Sequence, residues 1–280
     1  MEFLKVWSLT ELINEAAKIK NKIYFLAGGT DFMVMFKDDM IPDDSTVIDI
    51  SGVKELRFIK EEANKIIIGS LTTFSDILES KLIEKQASVL YQAVSTIGSP
   101  QIRNMGTIGG NIANASPAGD SIPALFIHNA KIFTNLNEYK ITDFFTGVKS
   151  TVLKNGEFIK DIEIEKLPKG SKCFFFKSGP RKALSISKVS LALGIKLNRG
   201  RVDFIRISAG AVSKTVIRAT KTEDFLFRSI ITKDAIEKAK EILKNEISPI
   251  TDFRSTENYR KEMSSYFLEK ALLSFICSHS

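Results

Sequence analysis

Apolar positions along residues 1–166 alternate between helical and strand-like spacing. The first helical pattern begins at Leu9, just after Ser8, and Ser8 and Glu11 have the separation of a capping box. Further helices are predicted over residues 32–36, 73–78, 82–97 and 122–127. Strands are predicted over residues 23–26, 47–50, 56–59, 66–68, 131–134 and 158–164. This mixture of elements predicts a fold of the α+β class.

The pattern changes after residues 166–171, which have the composition of a linker. Strand-like segments follow at residues 173–177, 187–197 and 201–212, and the turn Asn198-Arg199-Gly200 predicts that the last two form a hairpin. Helical patterns then occupy residues 222–228, 232–246 and 258–276. We therefore expect a first domain at 1–166, with subdomains at about 1–55 and 56–166. A second domain at 172–280 is expected to combine a three-stranded antiparallel sheet with a helical bundle.

Two segments rich in glycine and small polar residues are the strongest functional signal. One occupies residues 26–31, directly after a predicted strand, and the other, longer one occupies residues 107–120 and is predicted to be a loop. Glycine lets a backbone approach a ligand closely, and Thr, Asn, Ser and Asp side chains can bond hydroxyls, phosphate oxygens or the edge of a heterocycle. Together the two segments predict a site for one extended dinucleotide.

Composition narrows the class of protein further. The chain has 280 residues, 44% of them hydrophobic, and a net charge of +7 whose lysines are scattered along the sequence, so no nucleic-acid partner is expected. It contains neither an apolar run long enough for a membrane span nor a secretory signal, which predicts a cytoplasmic protein. Two cysteines, Cys173 and Cys277, cannot build a disulfide framework, a zinc site or an iron–sulfur cluster, so any metal centre must belong to a partner.

Several ordered motifs give the chain a family resemblance. They are residues 27–31, 101–111, 116–120 and 176–183, followed by 208–212, 250–255 and the pair Tyr259-Arg260. In this order and spacing the chain resembles, over nearly its whole length, the flavin-binding medium subunit of the molybdenum hydroxylases. This family includes xanthine dehydrogenase and carbon monoxide dehydrogenase.

The resemblance implies an FAD-binding domain of the PCMH or vanillyl-alcohol-oxidase type, with two subdomains and FAD in the groove between them. The first glycine segment is then expected to wrap the pyrophosphate, and the second to approach the pyrophosphate or ribityl region from the other side. Asp120 is expected to hydrogen-bond the flavin or its ribityl chain, and Lys177 to lie near the isoalloxazine ring and raise its potential. The implied cofactor-binding residues are Leu26, Ala27, Gly28, Gly29, Thr30, Asp31, Phe32, Met33, Thr107, Gly109, Gly110, Asn111, Asn114, Asp120 and Lys177.

The resemblance also implies an electron-transfer function, with no catalytic acid–base residue and no metal ligand in this chain. A molybdopterin-binding large subunit and an iron–sulfur small subunit are the implied partners, and NAD⁺ or another oxidant is the implied acceptor. Two alternative functions remain open. One is a stand-alone FAD-dependent NADH oxidoreductase, and the other is a non-catalytic nucleotide-binding assembly protein.

Single residues also have alternative interpretations. Asp120 has the position of an N-cap for the helix that follows it. Lys177 lies at the end of a predicted strand, where its charge could simply be solvated. Arg103 either bonds carbonyl oxygens and steadies the loop or reaches a phosphate. The two histidines, His128 and His279, belong to no recognisable catalytic constellation with a Ser, Cys or carboxylate, which predicts structural roles for both.

Overall fold

A computed structural model describes residues 1–181 and 184–276 of the chain. Within them the strands are β1 (Glu2–Lys5), β2 (Ile23–Leu26), β3 (Thr46–Asp49), β4 (Ile59–Glu62), β5 (Lys65–Gly69), β6 (Lys131–Thr134), β7 (Glu138–Lys140), β8 (Phe145–Gly147), β9 (Ser150–Thr151), β10 (Ile159–Glu165), β11 (Lys172–Ser178), β12 (Val189–Asn198), β13 (Arg201–Gly210) and β14 (Ile217–Arg218). The α-helices are α1 (Leu9–Lys18), α2 (Phe32–Lys37), α3 (Phe74–Glu79), α4 (Lys81–Gln86), α5 (Ser88–Ser95), α6 (Pro100–Met105), α7 (Ile108–Asn114), α8 (Ser121–Ile127), α9 (Ile141–Phe144), α10 (Thr220–Leu226), α11 (Lys233–Glu246) and α12 (Glu257–Ile276).

The chain begins with a small parallel sheet in the order β1-β3-β2. Helix α1 starts at Leu9 as predicted, because the Ser8 hydroxyl accepts from the backbone N–H of Glu11 over 3.2 Å. The Glu11 carboxylate in turn accepts from the N–H of Trp7, one residue before the position of an ideal capping box. Strand β2 ends at Leu26, so the first glycine segment lies at the carboxyl edge of this sheet.

A second sheet, antiparallel throughout, has the order β4-β5-β10-β6-β7. The single helix predicted over residues 82–97 is wrong, because the buried Ala87 has non-helical dihedral angles and divides it into α4 and α5. The strand predicted over residues 56–59 is also wrong at its start, where residues 54–56 form a 3₁₀ turn. Leu56 is buried in the core of the first sheet, so its apolar character reflects that core and not strand β4.

The last sheet is antiparallel in the order β11-β12-β13-β14, with helices α11 and α12 packed against it through one apolar core. The predicted hairpin is confirmed by the pairing of Asn198 with Arg201. Its turn residues Arg199 and Gly200 both have positive φ, as a tight hairpin turn requires. The prediction of three strands misses β14, whose two residues are too few to give a strand pattern.

Two structural features are absent from the described residues. None of their helices has the combination of length and apolar character that crossing a membrane requires. The same residues contain no group of three or more His, Cys, Asp or Glu side chains placed to hold a metal ion.

The surroundings of His128 and Cys173 favour structural roles over catalytic ones. His128 is fully buried at the end of α8, where its Nδ1 donates to the backbone carbonyl of Glu165 over 2.6 Å. Burial lowers the pKa of His128 to about 4. Burial raises the pKa of the Cys173 thiol, which makes it a poor nucleophile. The predictions for His279 and Cys277 fall outside the described residues.

We expect His128 to make folding stability depend on pH. Its folded pKa of about 4 lies below the ordinary value of 6.5, so the stabilisation is complete above pH 6.5 and is lost as the pH falls toward 4. The full loss corresponds to about 3 kcal/mol. This loss of stability is measured by urea unfolding of the wild type and of His128→Gln at pH values between 7.5 and 4. The difference in the free energy of unfolding between the two proteins must shrink as the pH falls. A constant difference would contradict the lowered pKa of His128.

Candidate cofactor-binding site

The two glycine segments of the sequence lie directly against each other. A Cβ atom on Gly28 would be 1.7 Å from the carbonyl oxygen of Met105, so the turn after β2 touches the backbone that leads into α7. The side chains connect as well, because Nδ2 of Asn114 donates to Oδ1 of Asp31 over 3.0 Å. Segments far apart in the sequence therefore form two walls of one cleft.

The second glycine segment is not the loop that its composition predicts, because residues 108–114 form helix α7. Thr107 is its N-cap, and the Thr107 hydroxyl accepts from the N–H of Gly110 over 3.1 Å. Gly109 is buried, and a Cβ at this position would be 2.6 Å from the Cβ of Ser70. Glycine therefore allows α7 to lie close against the end of strand β5, while Gly110 stays exposed at the cleft.

Unpaired backbone N–H groups distinguish the two walls. No hydrogen-bond acceptor is found among the described residues for the consecutive N–H groups of residues 28–31. By contrast, the first N–H groups of α7 are satisfied, since Ile108 donates to Thr72 and Gly109 donates to Ser70. A run of free N–H groups in a turn before a helix is an anion-binding arrangement. The N–H groups that are free to bind an anion therefore lie on the wall formed by the first glycine segment.

The cleft has two connected sections, which share Thr30, Asp31, Asn111 and Asn114. The narrow section lies between the two glycine segments and has a volume of about 180 Å³. The wide section has a volume of about 660 Å³ and extends to strand β11 of the last sheet. A long ligand can therefore bind along both sections.

Most of the predicted site residues line this cleft. The narrow section is lined by Ala27, Gly28, Gly29, Thr30, Asp31, Phe32, Thr107, Gly110, Asn111 and Asn114. The wide section is lined by Asp120 and Lys177. Leu26, Met33 and Gly109 line neither section. Leu26 belongs to strand β2, Met33 is 55% exposed, and Gly109 lines a smaller pocket behind α7.

Six residues that line the narrow section are missing from the predicted site residues. They are Tyr24, Phe25, Met35, Phe74, Gly106 and Ala113. Met35 has a recognisable signal, because it follows Phe32 by one helical turn and so shares a face of α2. Gly106 directly precedes Thr107 and so extends the second glycine segment, whereas only the tertiary fold brings Phe74 to the cleft.

Asp120 forms a buried network with the last sheet. Asp120 occupies the N-cap position of α8, as predicted, but its side chain makes no capping hydrogen bond. Instead, its Oδ2 accepts from Nζ of Lys177 over 2.6 Å, and its Oδ1 accepts from the hydroxyl of Ser187. Burial raises the pKa of Asp120, and the charge of Lys177 and both hydrogen bonds oppose this rise.

Lys177 is not the solvated charge that its position at a strand end suggests. Its side chain is 10% exposed, that of Asp120 is 7% exposed, and Nζ of Lys177 also donates to the carbonyl of Thr96 over 3.1 Å. This ion pair joins strand β11 to the start of α8 and brings a fixed cation to the wide section.

Arg103 has the loop-steadying role. Its Nη1 donates to the carbonyl oxygens of Ile97 over 2.8 Å and Gly98 over 3.2 Å. These contacts hold the turn before α6, in which Gly98 has a positive φ of 47°. Both of these turn residues line the wide section, so Arg103 shapes the cleft without lining it.

Two families match the chain. Residues 1–167 match the family described as the FAD binding domain in molybdopterin dehydrogenase. Residues 174–275 match the CO dehydrogenase flavoprotein C-terminal domain. The first match alone covers more than half of the chain.

Similar proteins extend this finding. The chain is 32% identical over 250 residues to the glyceraldehyde dehydrogenase medium chain of Sulfolobus acidocaldarius, covering 88% of each chain. It is 32% identical to the nicotinate dehydrogenase FAD-subunit of Eubacterium barkeri, covering 85% of this chain and 82% of the relative. Its structure resembles one chain of the carbon monoxide dehydrogenase of Hydrogenophaga pseudoflava, with a TM-score of 0.92, 25% identity and coverage of 99% and 97%. The chain therefore belongs to the FAD-binding subunits of the molybdenum hydroxylase family and is the flavoprotein part of an oxidoreductase.

Proposed function

We propose that this chain holds FAD along the cleft and passes electrons from a partner's iron–sulfur clusters to a separate acceptor. The observation that carries this proposal is the run of unpaired N–H groups at residues 28–31, which line the narrow section. Such a run suits the pyrophosphate of a dinucleotide, because each N–H could donate to a phosphate oxygen and no bulky side chain intervenes at the two glycines.

The other predicted residues have complementary tasks. The Asn111 and Asn114 amides line both sections and suit hydroxyl groups between the pyrophosphate and the ring. Lys177 and Asp120 line the wide section, where the flavin ring would lie. When bound, FAD supplies a group that is stable with one or two added electrons. Lys177 would then favour negative charge on the ring, because a buried cation stabilises negative charge nearby.

The electron route needs partners. The relatives are called a medium chain and an FAD-subunit. In our proposal a small subunit with iron–sulfur clusters supplies single electrons, a large subunit carries the molybdopterin, and NAD⁺ or another oxidant removes the electrons. We further propose that residues 1–166 form the FAD-binding domain, with subdomains at about 1–55 and 56–166, and that residues 172–280 complete the wall of the cleft that contains Lys177.

Purification tests the proposal against its two alternatives. We expect the chain to carry close to one FAD, to copurify with two other subunits, and to be reduced by the substrate of the large subunit only when the cluster subunit is present. Rapid reduction of the isolated chain by NADH, with no partner, would favour a stand-alone NADH oxidoreductase. If the purified chain is colourless and takes up no added FAD, the non-catalytic assembly protein is the only one of these functions that remains.

A further inference from the structure

A second cavity lies next to the wide section. It has a volume of about 160 Å³ and shares Ser116, Ala118 and Arg254 with that section. Ser187, which donates to Asp120, also lines it, so the buried network separates the two spaces. Pockets for whole drug-sized ligands usually measure about 300–1,000 Å³. This cavity, called here the side cavity, therefore suits one small group.

The charges around the side cavity are mostly positive. Lys214, Arg254 and Arg260 line it together with one carboxylate, that of Asp252. Oδ1 of Asp252 accepts from the N–H of Arg254, the N–H of Ser255 and Nη2 of Arg260, over 2.9, 3.1 and 2.8 Å. Desolvation by burial raises the pKa of Asp252, but these hydrogen bonds outweigh it and hold the pKa below its ordinary value. Arg260 thus compensates the single negative charge.

Two cations remain without a counter-charge. Lys214 and Arg254 are exposed, and neither side chain has a hydrogen-bond or ion-pair partner within the part of the chain that the structure describes. The guanidinium of Arg254 lies over the ring of Phe253, 4.9 Å from its centroid. One lysine and one arginine at the rim of a small cavity match the recognition of a phosphate group.

Arg260, which lines the side cavity, has one unsatisfied donor atom. Arg260 is 5% exposed, and its Nη1 donates to the carbonyl oxygens of Lys188 over 2.8 Å and Ala211 over 2.6 Å. Its Nε has no partner among the described residues. A buried donor on a charged group is costly to leave unpaired, and this one belongs to a residue that lines the cavity. The hydroxyls of Ser116 and Ser213 line the same space.

We propose that the side cavity binds the phosphate or diphosphate group of a small-molecule ligand, at a site distinct from the FAD pyrophosphate. Lys214 and Arg254 bind this group at the rim, and Arg260 together with the serine hydroxyls binds it inside. Because Arg254 also lines the wide section, a ligand held by its phosphate can extend toward the flavin. The same chemistry serves free phosphate and the phosphate of an electron acceptor, and the experiment separates the two.

Binding of inorganic diphosphate to the FAD-loaded protein at constant ionic strength provides the test. We expect one site per chain, weakened at least tenfold in Lys214→Gln/Arg254→Gln and retained in Lys214→Arg. The matched control is Arg199→Gln/Lys238→Gln, which removes two exposed cations that do not line the side cavity. Unchanged binding in the first variant, or equal weakening in the control, would overturn the proposal.

Two further readouts separate the outcomes. If the acceptor itself supplies the phosphate, diphosphate competes with it for reoxidation of the reduced flavin. If free phosphate is the ligand, diphosphate binds without competing. FAD content is measured in every variant. Normal FAD content without diphosphate binding would reject the side cavity alone, whereas absent FAD would reject the proposed function.

Discussion

Replacing Gly28 with alanine is expected to weaken FAD binding by about tenfold to a hundredfold. The added Cβ would be 1.7 Å from the carbonyl oxygen of Met105 and 2.5 Å from its carbon, both of which are backbone atoms. No side-chain rotation relieves such a contact, so the first glycine segment must move away from the segment before α7. Overpacking of this kind costs about 1–3 kcal/mol, and about 1.4 kcal/mol corresponds to tenfold in affinity.

Titration of the FAD-free protein with FAD, followed by quenching of flavin fluorescence, measures the change. Gly147→Ala is the matched control, because its new Cβ meets no heavy atom closer than 3.9 Å, the side chain of Ser150. The control should bind FAD as the wild type does. Wild-type affinity in Gly28→Ala would mean that the cofactor does not depend on the contact between the two glycine segments.

Removing one member of the buried ion pair is expected to lower the free energy of unfolding by about 3–5 kcal/mol. Asp120→Ala leaves Lys177 with a single carbonyl acceptor, that of Thr96, in a site where its side chain is 10% exposed. Lys177→Met leaves a carboxylate whose remaining partner is the hydroxyl of Ser187. The double variant should lose less than the sum of the two, because it leaves no unpaired charge.

The same variants report on the flavin. Lys177→Met should lower the flavin midpoint potential, because the anionic reduced form loses its nearby cation. Lys149→Met is the control, since Lys149 lines the wide section but is exposed to solvent. Chemical denaturation and a redox titration measure the two effects separately. Additive losses of stability, or equal potentials in both lysine variants, would contradict the role assigned to the pair.

Much of the local structure could be predicted from the sequence, because strand β2, the turn after it and helix α1 have strong local signals. Helix α7 could not. Its glycines and asparagines have low helix propensity, and their composition indicates a loop. The helix forms because Ile108 and Ile112 are fully buried and because backbone carbonyls outside the helix accept its first N–H groups. Tertiary contacts of this kind leave no periodic pattern in so short a segment.

The site shows the same division between local and tertiary information. Composition located the two glycine segments, but the pairing of Asp120 with Lys177 joins residues 57 positions apart in the sequence. Asp120 follows a loop and precedes an apolar run, which is the local signal of an N-cap. Its side chain instead bonds to Lys177, and only the position of strand β11 in the fold explains this choice. The expectation for Lys177 came from the family resemblance, since its local pattern indicates a solvated strand end.

The most direct measurement of the central claim is the crystal structure of the protein with FAD bound. The account predicts electron density for the pyrophosphate against the N–H groups of residues 28–31 and density for the flavin ring in the wide section beside Lys177. FAD bound outside the cleft between the two glycine segments, or with its ring away from the Asp120–Lys177 pair, would contradict it.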